Sequence, residues 1–169
     1  MNTSRKEPGT AIAFFASLIS FVQRSENESA VSAAAYQSGE KLFSEYDQEQ
    51  KYYPYKTEVT HKEIMLPPHV PPEFAYRNTL WNSAEAQEKQ WNSQLAWRFV
   101  LSIPREIPPE QYADLIRDYC WEFFVSKGMI ADFAIHDKGD GKRTSYTHYS
   151  TMPITTESLS CLIVLFISY

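Results

Sequence analysis

Residues 129–141 read MIADFAIHDKGDG, and they indicate the fold more clearly than any other segment. The first eight residues predict a strand, because alternate side chains of a strand point to opposite faces. One face would carry Met129, Ala131, Phe133 and Ile135, and the other would carry Ile130, Asp132, Ala134 and His136. The glycines and aspartates that follow predict a tight polar loop. His136 would therefore project from the end of a strand, beside a loop.

The segment before this strand predicts a helix that begins near Pro108 and ends at Gly128. Pro108, Pro109 and Glu110 are favourable residues for a first helical turn, and Gly128 is a typical C-terminal cap. The spacing places one apolar stripe on this helix: Tyr112, Leu115, Ile116, Tyr119, Phe123 and Phe124. Cys120 lies on the same side, so we expect it to be a buried free thiol.

Further upstream, residues 29–42 read SAVSAAAYQSGEKL and predict a second helix. Ser29 is a good N-cap residue, and Gly39 falls near the end of the helix. Small residues dominate one face, namely Ala30, Ala33, Ala34 and Ala35. A face of this kind lets a helix lie close against a sheet, and this helix carries Tyr36.

The remaining segments complete an alternation of strands and helices. We predict strands over residues 11–24, 57–66 and 94–103, a helix from Glu73 to about Gln90, and an acidic, tyrosine-rich excursion or hairpin arm over residues 43–56. This order predicts an α+β fold with two layers, a sandwich of sheet and helices.

The two quoted segments together resemble the MobA/MobL family of plasmid mobilisation relaxases. The resemblance covers residues 11–141 and implies a mostly antiparallel sheet with helices packed on it. It implies that Tyr36 is the nucleophile that cuts single-stranded DNA at a transfer origin, with accessory mobilisation proteins as further partners. It also implies a divalent metal (Mn²⁺, Mg²⁺ or Zn²⁺) held by three histidines. His136 matches the first of them, and the family supplies the other two directly afterwards as Asn-Pro-His-x-His.

The sequence departs from the family where those two histidines belong. Residues 142–146 read KRTSY, which puts Thr144 and Tyr146 at the two positions. His148 would share their face of the strand, but it lies two residues too far along, a displacement of roughly 6.6–6.8 Å. Bonds of about 2.1 Å from a metal to nitrogen do not span that distance. A register slip of two residues would preserve the facing and bring His148 in, with Asp137 or Asp140 as makeshift oxygen ligands.

The charge balance is unusual for a protein that binds DNA. The formal net charge is −5, whereas affinity for DNA depends on Lys and Arg side chains that contact phosphates. A local groove could still be lined by Lys41, Arg98, Lys138, Lys142 and Arg143, with Trp97 or Tyr36 stacked on a base. The alternative is that each of these cations is solubilising surface charge.

The chain ends have a different character from the middle. Residues 1–10 are polar and predict a disordered terminus, residues 11–154 form the incomplete relaxase-like domain, and residues 155–169 form a divergent apolar tail. The tail is about half as long as the roughly 20 residues that span a bilayer, so we expect a buried strand or an aggregation-prone segment and no membrane association. Two cysteines that form no disulfide framework, together with no visible secretory signal, predict a cytoplasmic protein.

Three functional hypotheses follow. The first is a relaxase-like protein of plasmid or conjugative-element mobilisation that nicks DNA through Tyr36, as a truncated copy with impaired activity. The second is a remnant that binds single-stranded DNA without cutting it. The third is a small acidic interaction protein on the same fold. The most useful structural observation is whether the fold brings Tyr36, His136 and His148 into one small cleft. If Tyr36 faces a different side from His136, the match to the family fails.

Overall fold

The computed structural model describes residues 15–54, 58–87, 92, 94–103, 107–137, 149–150 and 162–168. Eight strands lie in these ranges: β1 (Phe15–Gln23), β2 (Leu42–Ser44), β3 (Glu49–Lys51), β4 (Val59–Met65), β5 (Gln94–Ser102), β6 (Ile130–His136), β7 (Tyr149–Ser150) and β8 (Leu162–Ser168). The short strands β2 and β3 pair as the hairpin arm that the tyrosine-rich segment predicts. The part of the predicted first strand before Phe15 lies outside the described residues.

Three α-helices lie in the described ranges: α1 (Ala30–Ser38), α2 (Arg77–Gln87) and α3 (Tyr112–Phe123). The helix predicted to begin at Glu73 begins instead with a 3-10 turn over Pro72–Ala75, and α2 starts at Arg77. The helix predicted to run to Gly128 stops at Phe123, and a 3-10 turn over Val125–Lys127 fills the gap. Among the described residues, no helix combines the length and the apolar character that crossing a bilayer requires.

The main sheet has the strand order β1-β5-β8-β6-β4, and β7 also pairs with β8. The pairs β1–β5 and β4–β6 are antiparallel, as is β7–β8. Strand β8 joins the two antiparallel halves and runs parallel to both β5 and β6. The apolar tail therefore contributes a strand to the centre of the sheet, which is one of the two outcomes that its composition predicts.

Two apolar cores lie on opposite faces of the sheet. The first core joins α1 and α2 to one face through residues such as Ala34, Trp81 and Ile130. The second core joins α3 to the other face through residues such as Ile116 and Phe133. The predicted α+β class, with helices packed on a mostly antiparallel sheet, is confirmed, and the helices divide between the two faces.

Strand β6 shows the alternation that the sequence predicts. Ala131, Phe133 and Ile135 belong to the core under α3. Asp132 accepts hydrogen bonds from α2, on the opposite face. Every residue of β6 is buried, so both faces are covered along its whole length. His136 lies in step with Asp132 and therefore faces the side of the sheet that carries α1 and α2.

The apolar stripe predicted for α3 is correct except at its end. Tyr112, Ile116 and Cys120 are buried on α3, and Phe124 is buried just after it. Phe123 is 44% exposed, so its assignment to the stripe is wrong. The helix ends at this residue, and the following turn directs Phe124 rather than Phe123 into the core. Burial raises the pKa of the Cys120 thiol well above its usual value, as expected for a thiol enclosed by apolar groups.

Candidate active site around Tyr36

Helix α1 carries Tyr36 and is fixed at both ends. At its start, the Ser29 hydroxyl accepts a hydrogen bond from the backbone N–H of Ser32 at 3.1 Å, as the sequence predicts for an N-cap. A carboxylate from α2 adds a second cap, because Glu85 Oε1 accepts from the backbone N–H of Val31 at 3.1 Å and from the Ser29 hydroxyl at 2.8 Å. At its end, Gly39 takes the left-handed conformation with φ of 66°.

Removal of this cap should measurably destabilise the domain. We expect Ser29→Ala to lower the free energy of unfolding by about 1–2 kcal/mol, because it removes an N-cap acceptor and one partner of the buried Glu85. Urea denaturation followed by tryptophan fluorescence measures the change. Ser126→Ala is the matched control, since the Ser126 hydroxyl is exposed and donates only to a backbone carbonyl of its own turn. A Ser29→Ala value no larger than that of the control would contradict this account of the cap.

Tyr36 projects from the side of α1 that faces away from the core. The neighbouring residues Ala34, Ala35 and Gln37 are buried, whereas Tyr36 is 40% exposed. Its ring meets the ring of Tyr53 edge to face, with centroids 5.2 Å apart and an interplanar angle of 84°. This arrangement is favourable for aromatic pairs and holds the phenol at the surface rather than against the sheet.

The exposed side of α1 forms one wall of a cavity of about 310 Å³, which we call the Tyr36 cleft. Its lining includes Glu28, Ser29, Ser32, Tyr36, Tyr53 and Arg98. The Tyr53 hydroxyl and the Ser32 hydroxyl lie 2.6 Å apart, which fixes the second ring against the helix. Arg98 reaches the cleft from β5, so the cleft brings together a helix, a strand and the segment after the hairpin arm.

His136 lies at the end of β6, on the face of the sheet that carries α1. It is buried, with 4% of its surface exposed, and its Nδ1 lies 3.8 Å from Glu58 Oε1. The backbone carbonyl of Glu58 also accepts a hydrogen bond from the N–H of Asp137 at 2.8 Å. Helix α1 and His136 therefore share one face of the sheet. His136 is absent from the lining of the Tyr36 cleft, so the described residues do not show the single cleft that was predicted to contain both side chains.

The described part of the chain does not assemble a three-ligand metal centre. His136 contributes one imidazole and Glu58 one carboxylate, and no group of three His, Cys, Asp or Glu residues able to hold a metal converges within those ranges. Donor sets for transition metals usually contain three or more protein ligands. These residues alone do not fit the three-histidine metal, and the predicted second ligand, His148, lies outside the described residues.

Of the predicted DNA-binding cations, two lie within the described residues, Lys41 and Arg98. Arg98 lines the Tyr36 cleft. Lys41 is exposed just beyond the end of α1 and is absent from the lining of that cleft. Lys138, Lys142 and Arg143 lie outside the described residues. Of the predicted cations, Arg98 is thus the one that the structure places beside Tyr36.

A buried ionic network lies beneath α1. Asp132 is fully buried in the middle of β6. Its carboxylate accepts from Nε and Nη2 of Arg77 at 2.8 and 2.7 Å and from Nε1 of Trp81 at 2.9 Å. The third nitrogen of the same guanidinium, Nη1, donates to Glu40 Oε1 at 2.7 Å. Arg77 therefore joins the sheet to the segment that directly follows α1.

Further contacts bond the last turn of α1 to strands β4 and β6. The Gln37 side chain donates to the backbone carbonyl of Asp132 at 3.1 Å. Lys62 Nζ donates to the backbone carbonyl of Ser38 at 3.2 Å and lies 2.9 Å from Glu40 Oε1. The residues that flank Tyr36 in sequence are thus bonded to β4 and β6, which fixes the position of the phenol relative to the sheet.

Comparison with known proteins identifies the group to which this chain is related. The model of the MobA/MobL family matches residues 28–159. This match spans more than half of the chain and includes both segments quoted above. The chain belongs to the MobA/MobL family.

Named relatives agree with this assignment. A conjugal transfer protein TraA of Agrobacterium fabrum is 34% identical over 75% of this chain and 12% of its own length. A probable mobilization protein MobA of Bifidobacterium longum is 31% identical over 73% of this chain and 22% of its own length. The mobilization protein MobL of Acidithiobacillus ferridurans is 32% identical over 68% of this chain and 30% of its own length. The chain thus spans less than a third of the length of these MobA/MobL relatives.

One solved structure shares the fold. It comes from work entitled "Molecular Basis of Vancomycin Resistance Transfer in Staphylococcus aureus", and it superposes with a TM-score of 0.72 over 87% of this chain and 73% of that chain. The sequence identity is 24%, so this similarity supports the fold of the MobA/MobL chain. It confirms independently that the sheet and its helices are arranged as described.

Sequence reasoning missed the ionic network, although one signal for it was present. Asp132 interrupts an otherwise apolar strand, and a buried carboxylate requires partners. On the helix predicted from Glu73 to about Gln90, Arg77 and Trp81 lie four residues apart and so share one helix face. This spacing identifies a cation and a donor that could act together, but it does not show which buried carboxylate they reach.

The network predicts a defined pH dependence of stability. Burial alone would raise the pKa of Glu40, but the charges and hydrogen bonds of Arg77 and Lys62 outweigh it, so the pKa lies below the usual 4.5. Because the folded-state pKa is depressed, the stabilisation is fully present above about pH 4.5 and is lost as the pH falls through the folded-state pKa. We expect Glu40→Gln to lose stability at neutral pH and to approach the unchanged protein at acidic pH. Urea denaturation across that range checks this, and a pH-independent difference would contradict it.

Proposed function

We propose that this chain is the DNA-cutting unit of a mobilisation protein, with Tyr36 as the nucleophile. The observation that carries the proposal is the position of Tyr36. It is an exposed phenol on a helix that is capped by Glu85 of α2 before this residue and bonded to β4 and β6 after it, at a cleft that also contains a guanidinium. A phenol is a suitable nucleophile for phosphodiesters because it forms a covalent phosphotyrosine. The names of the MobA/MobL relatives, which include conjugal transfer and mobilization proteins, support this assignment.

The proposed reaction is a transesterification. The Tyr36 oxygen forms a bond to the phosphorus atom, and the bond from phosphorus to the 3′-oxygen of the preceding nucleotide breaks. The phenol loses its proton, and the leaving 3′-oxygen gains one and becomes a hydroxyl. The downstream strand remains attached to the protein through a 5′-phosphotyrosine, so the energy of the broken ester is conserved for later religation.

Catalysis of this step needs positive charge near the phosphate. In the family, a divalent metal held by three histidines is expected to provide it. Because the described residues do not complete that set, the step proposed here uses the groups of this chain alone. The requirement for Mn²⁺ or Mg²⁺ is itself part of the test.

The test uses single-stranded oligonucleotides labelled at the 3′ end that tile the DNA around the coding sequence. We expect one of them to form a labelled adduct with the protein that survives denaturing electrophoresis. Parallel reactions with Mn²⁺, with Mg²⁺ and with a chelator report whether a metal is needed. The absence of an adduct on every oligonucleotide under all three conditions would refute the proposal.

A second candidate function is binding of single-stranded DNA without cleavage. It is favoured because the described residues contain no group of three His, Cys, Asp or Glu side chains that could hold a metal with His136. Binding that weakens with salt, in the absence of any adduct, would support this alternative. No binding even at low salt would instead favour a small acidic interaction protein.

A further inference from the structure

We propose that Arg98 binds the DNA phosphate beside Tyr36 and is the cation of the Tyr36 cleft. The inference rests on the proposed function, since it names how the same site holds its single-stranded substrate. It gives Arg98 a specific role beyond that of one cation among several along a groove.

The position of Arg98 is set by the sheet. It pairs with Ser20 of β1 in the antiparallel β1–β5 register, and its neighbour Ala96, which points to the same face, belongs to the core under α1 and α2. The Arg98 side chain therefore lies on the face of the sheet that is covered by α1 and α2. There it lines the cleft together with Tyr36 and Tyr53.

The guanidinium of Arg98 is only weakly engaged. Its Nη1 lies 3.5 Å from Glu28 Oε1, at the limit of a hydrogen bond, and its side chain is 17% exposed. Its Nε is buried and has no hydrogen-bond partner among the described residues. A guanidinium presents its donors as a planar fork that matches two phosphate oxygens, so Arg98 retains the donors that such an interaction needs.

The other arginines near α1 are committed elsewhere. All three nitrogens of the Arg77 guanidinium donate to buried or half-buried carboxylates. Arg24 donates to the backbone carbonyl of Glu85 at 3.0 Å, and its guanidinium carbon lies 4.4 Å from the ring centroid of Tyr46. Among these three arginines, Arg98 has the longest hydrogen bond to a described residue, so it is the one best able to bind a new anionic partner.

The surroundings of Arg98 also suit a nucleotide chain. Tyr36 and Tyr53 supply aromatic surfaces on which bases stack without regard to sequence. A second cavity of about 410 Å³ shares Glu28, Ser29 and Ser32 with the Tyr36 cleft and extends to Lys51 and Tyr46. The two cavities adjoin at these three shared residues, and Lys51 in the second cavity is paired with Asp47 and Glu49.

Glu28 has a defined part in this arrangement. Its Oε2 accepts a hydrogen bond from the backbone N–H of Gln23 at 3.2 Å, and its Oε1 faces Arg98. A phosphate that approaches Arg98 must displace this carboxylate and is repelled by its charge. Glu28 therefore weakens DNA binding, and Glu28→Gln should strengthen it while leaving the contact with Gln23 possible.

The experiment measures the fluorescence anisotropy of a labelled oligothymidylate of about 12 nucleotides with the full chain over a range of salt concentrations. We expect Arg98→Gln to weaken binding about tenfold or more and to reduce the salt slope by about one, because one phosphate contact is lost. Arg98→Lys keeps the charge but lacks the planar guanidinium, so its affinity should lie between that of the unchanged protein and that of Arg98→Gln. Arg117→Gln is the matched control, since Arg117 pairs with Glu63 on the face covered by α3, and it should bind as the unchanged protein does.

The outcomes separate this inference from the proposed cleavage. If Arg98→Gln binds with unchanged affinity and salt slope, or Glu28→Gln does not bind more tightly, the inference is overturned. Loss of binding in Arg117→Gln equal to that in Arg98→Gln would overturn it as well, because the effect would then be one of overall charge. If binding depends on Arg98 and no covalent adduct forms, the inference stands and the proposed cleavage fails. If an adduct forms equally well in Arg98→Gln, the proposed cleavage stands and the inference about Arg98 fails.

Discussion

Tyr36→Phe should form no covalent adduct with single-stranded DNA, while it binds the same DNA with nearly unchanged affinity. The substitution removes the oxygen atom that we propose bonds to phosphorus and keeps the ring that meets Tyr53. Tyr36 is 40% exposed, so the free energy of unfolding should change by no more than about 0.5 kcal/mol. The readout is the amount of labelled DNA that stays with the protein after denaturing electrophoresis.

Tyr53→Phe is the matched control for this variant. It removes a hydroxyl in the same cleft, the one that lies 2.6 Å from the Ser32 hydroxyl, and it keeps the aromatic pair. We expect the adduct to persist in Tyr53→Phe. Full adduct formation by Tyr36→Phe would show that another group attacks the phosphate, and it would remove Tyr36 from the mechanism.

Asp132→Ala should be the most destabilising single substitution considered for this protein, at about 3–5 kcal/mol. The aspartate is fully buried, and its loss would leave the Arg77 guanidinium and the Trp81 indole N–H without their acceptors. Burial on its own lowers the pKa of Arg77, but Asp132 and Glu40 raise it above its usual value, so the guanidinium stays charged. An uncompensated charge would then remain in the core, in a domain whose total stability is of the order of 5–15 kcal/mol.

Glu63→Ala provides the comparison for Asp132→Ala. Glu63 also accepts two hydrogen bonds from an arginine, Arg117, but this pair is partly exposed, so its loss should cost no more than about 1 kcal/mol. Urea denaturation gives both values. Asp132→Asn keeps one acceptor and serves if the alanine variant does not fold. Similar losses for Asp132→Ala and Glu63→Ala would contradict the account of the buried network.

The elements that the sequence predicted correctly are those with strong local signals. The strand before His136 and the cap at Ser29 follow from alternation and from capping chemistry, and both are observed. Boundaries were less predictable because they depend on packing. The predicted first turn of helix α2 is a 3-10 turn in the structure. Helix α3 ends at Phe123, which leaves the ring of this residue exposed.

Relations between distant segments were beyond a reading of local signals. The link from Asp132 to Arg77 spans 55 residues, and hydrophobic spacing carries no information about which cation reaches a buried carboxylate. The apolar tail predicted a buried strand as one alternative, but its place between β5 and β6 depends on strand pairing across the whole chain. The family resemblance predicted that Tyr36 and His136 would meet in one cleft. Helix α1 and His136 lie on the same face of the sheet, but His136 does not line the Tyr36 cleft. That cleft and the pairing of Arg98 with Glu28 emerged only from the structure.

The central claim, that Tyr36 attacks the DNA phosphate, is tested most directly by mapping the nucleotide on the protein. After reaction with an oligonucleotide, nuclease and trypsin would release a peptide of residues 25–41, in which Tyr36 is the only tyrosine. The account predicts that mass spectrometry finds the added nucleotide on this peptide, at Tyr36. A nucleotide on one of the following peptides, which carry Tyr46 or Tyr53, would contradict it. The same conclusion would follow if a sample with a proven adduct contained the 25–41 peptide only in its unmodified form.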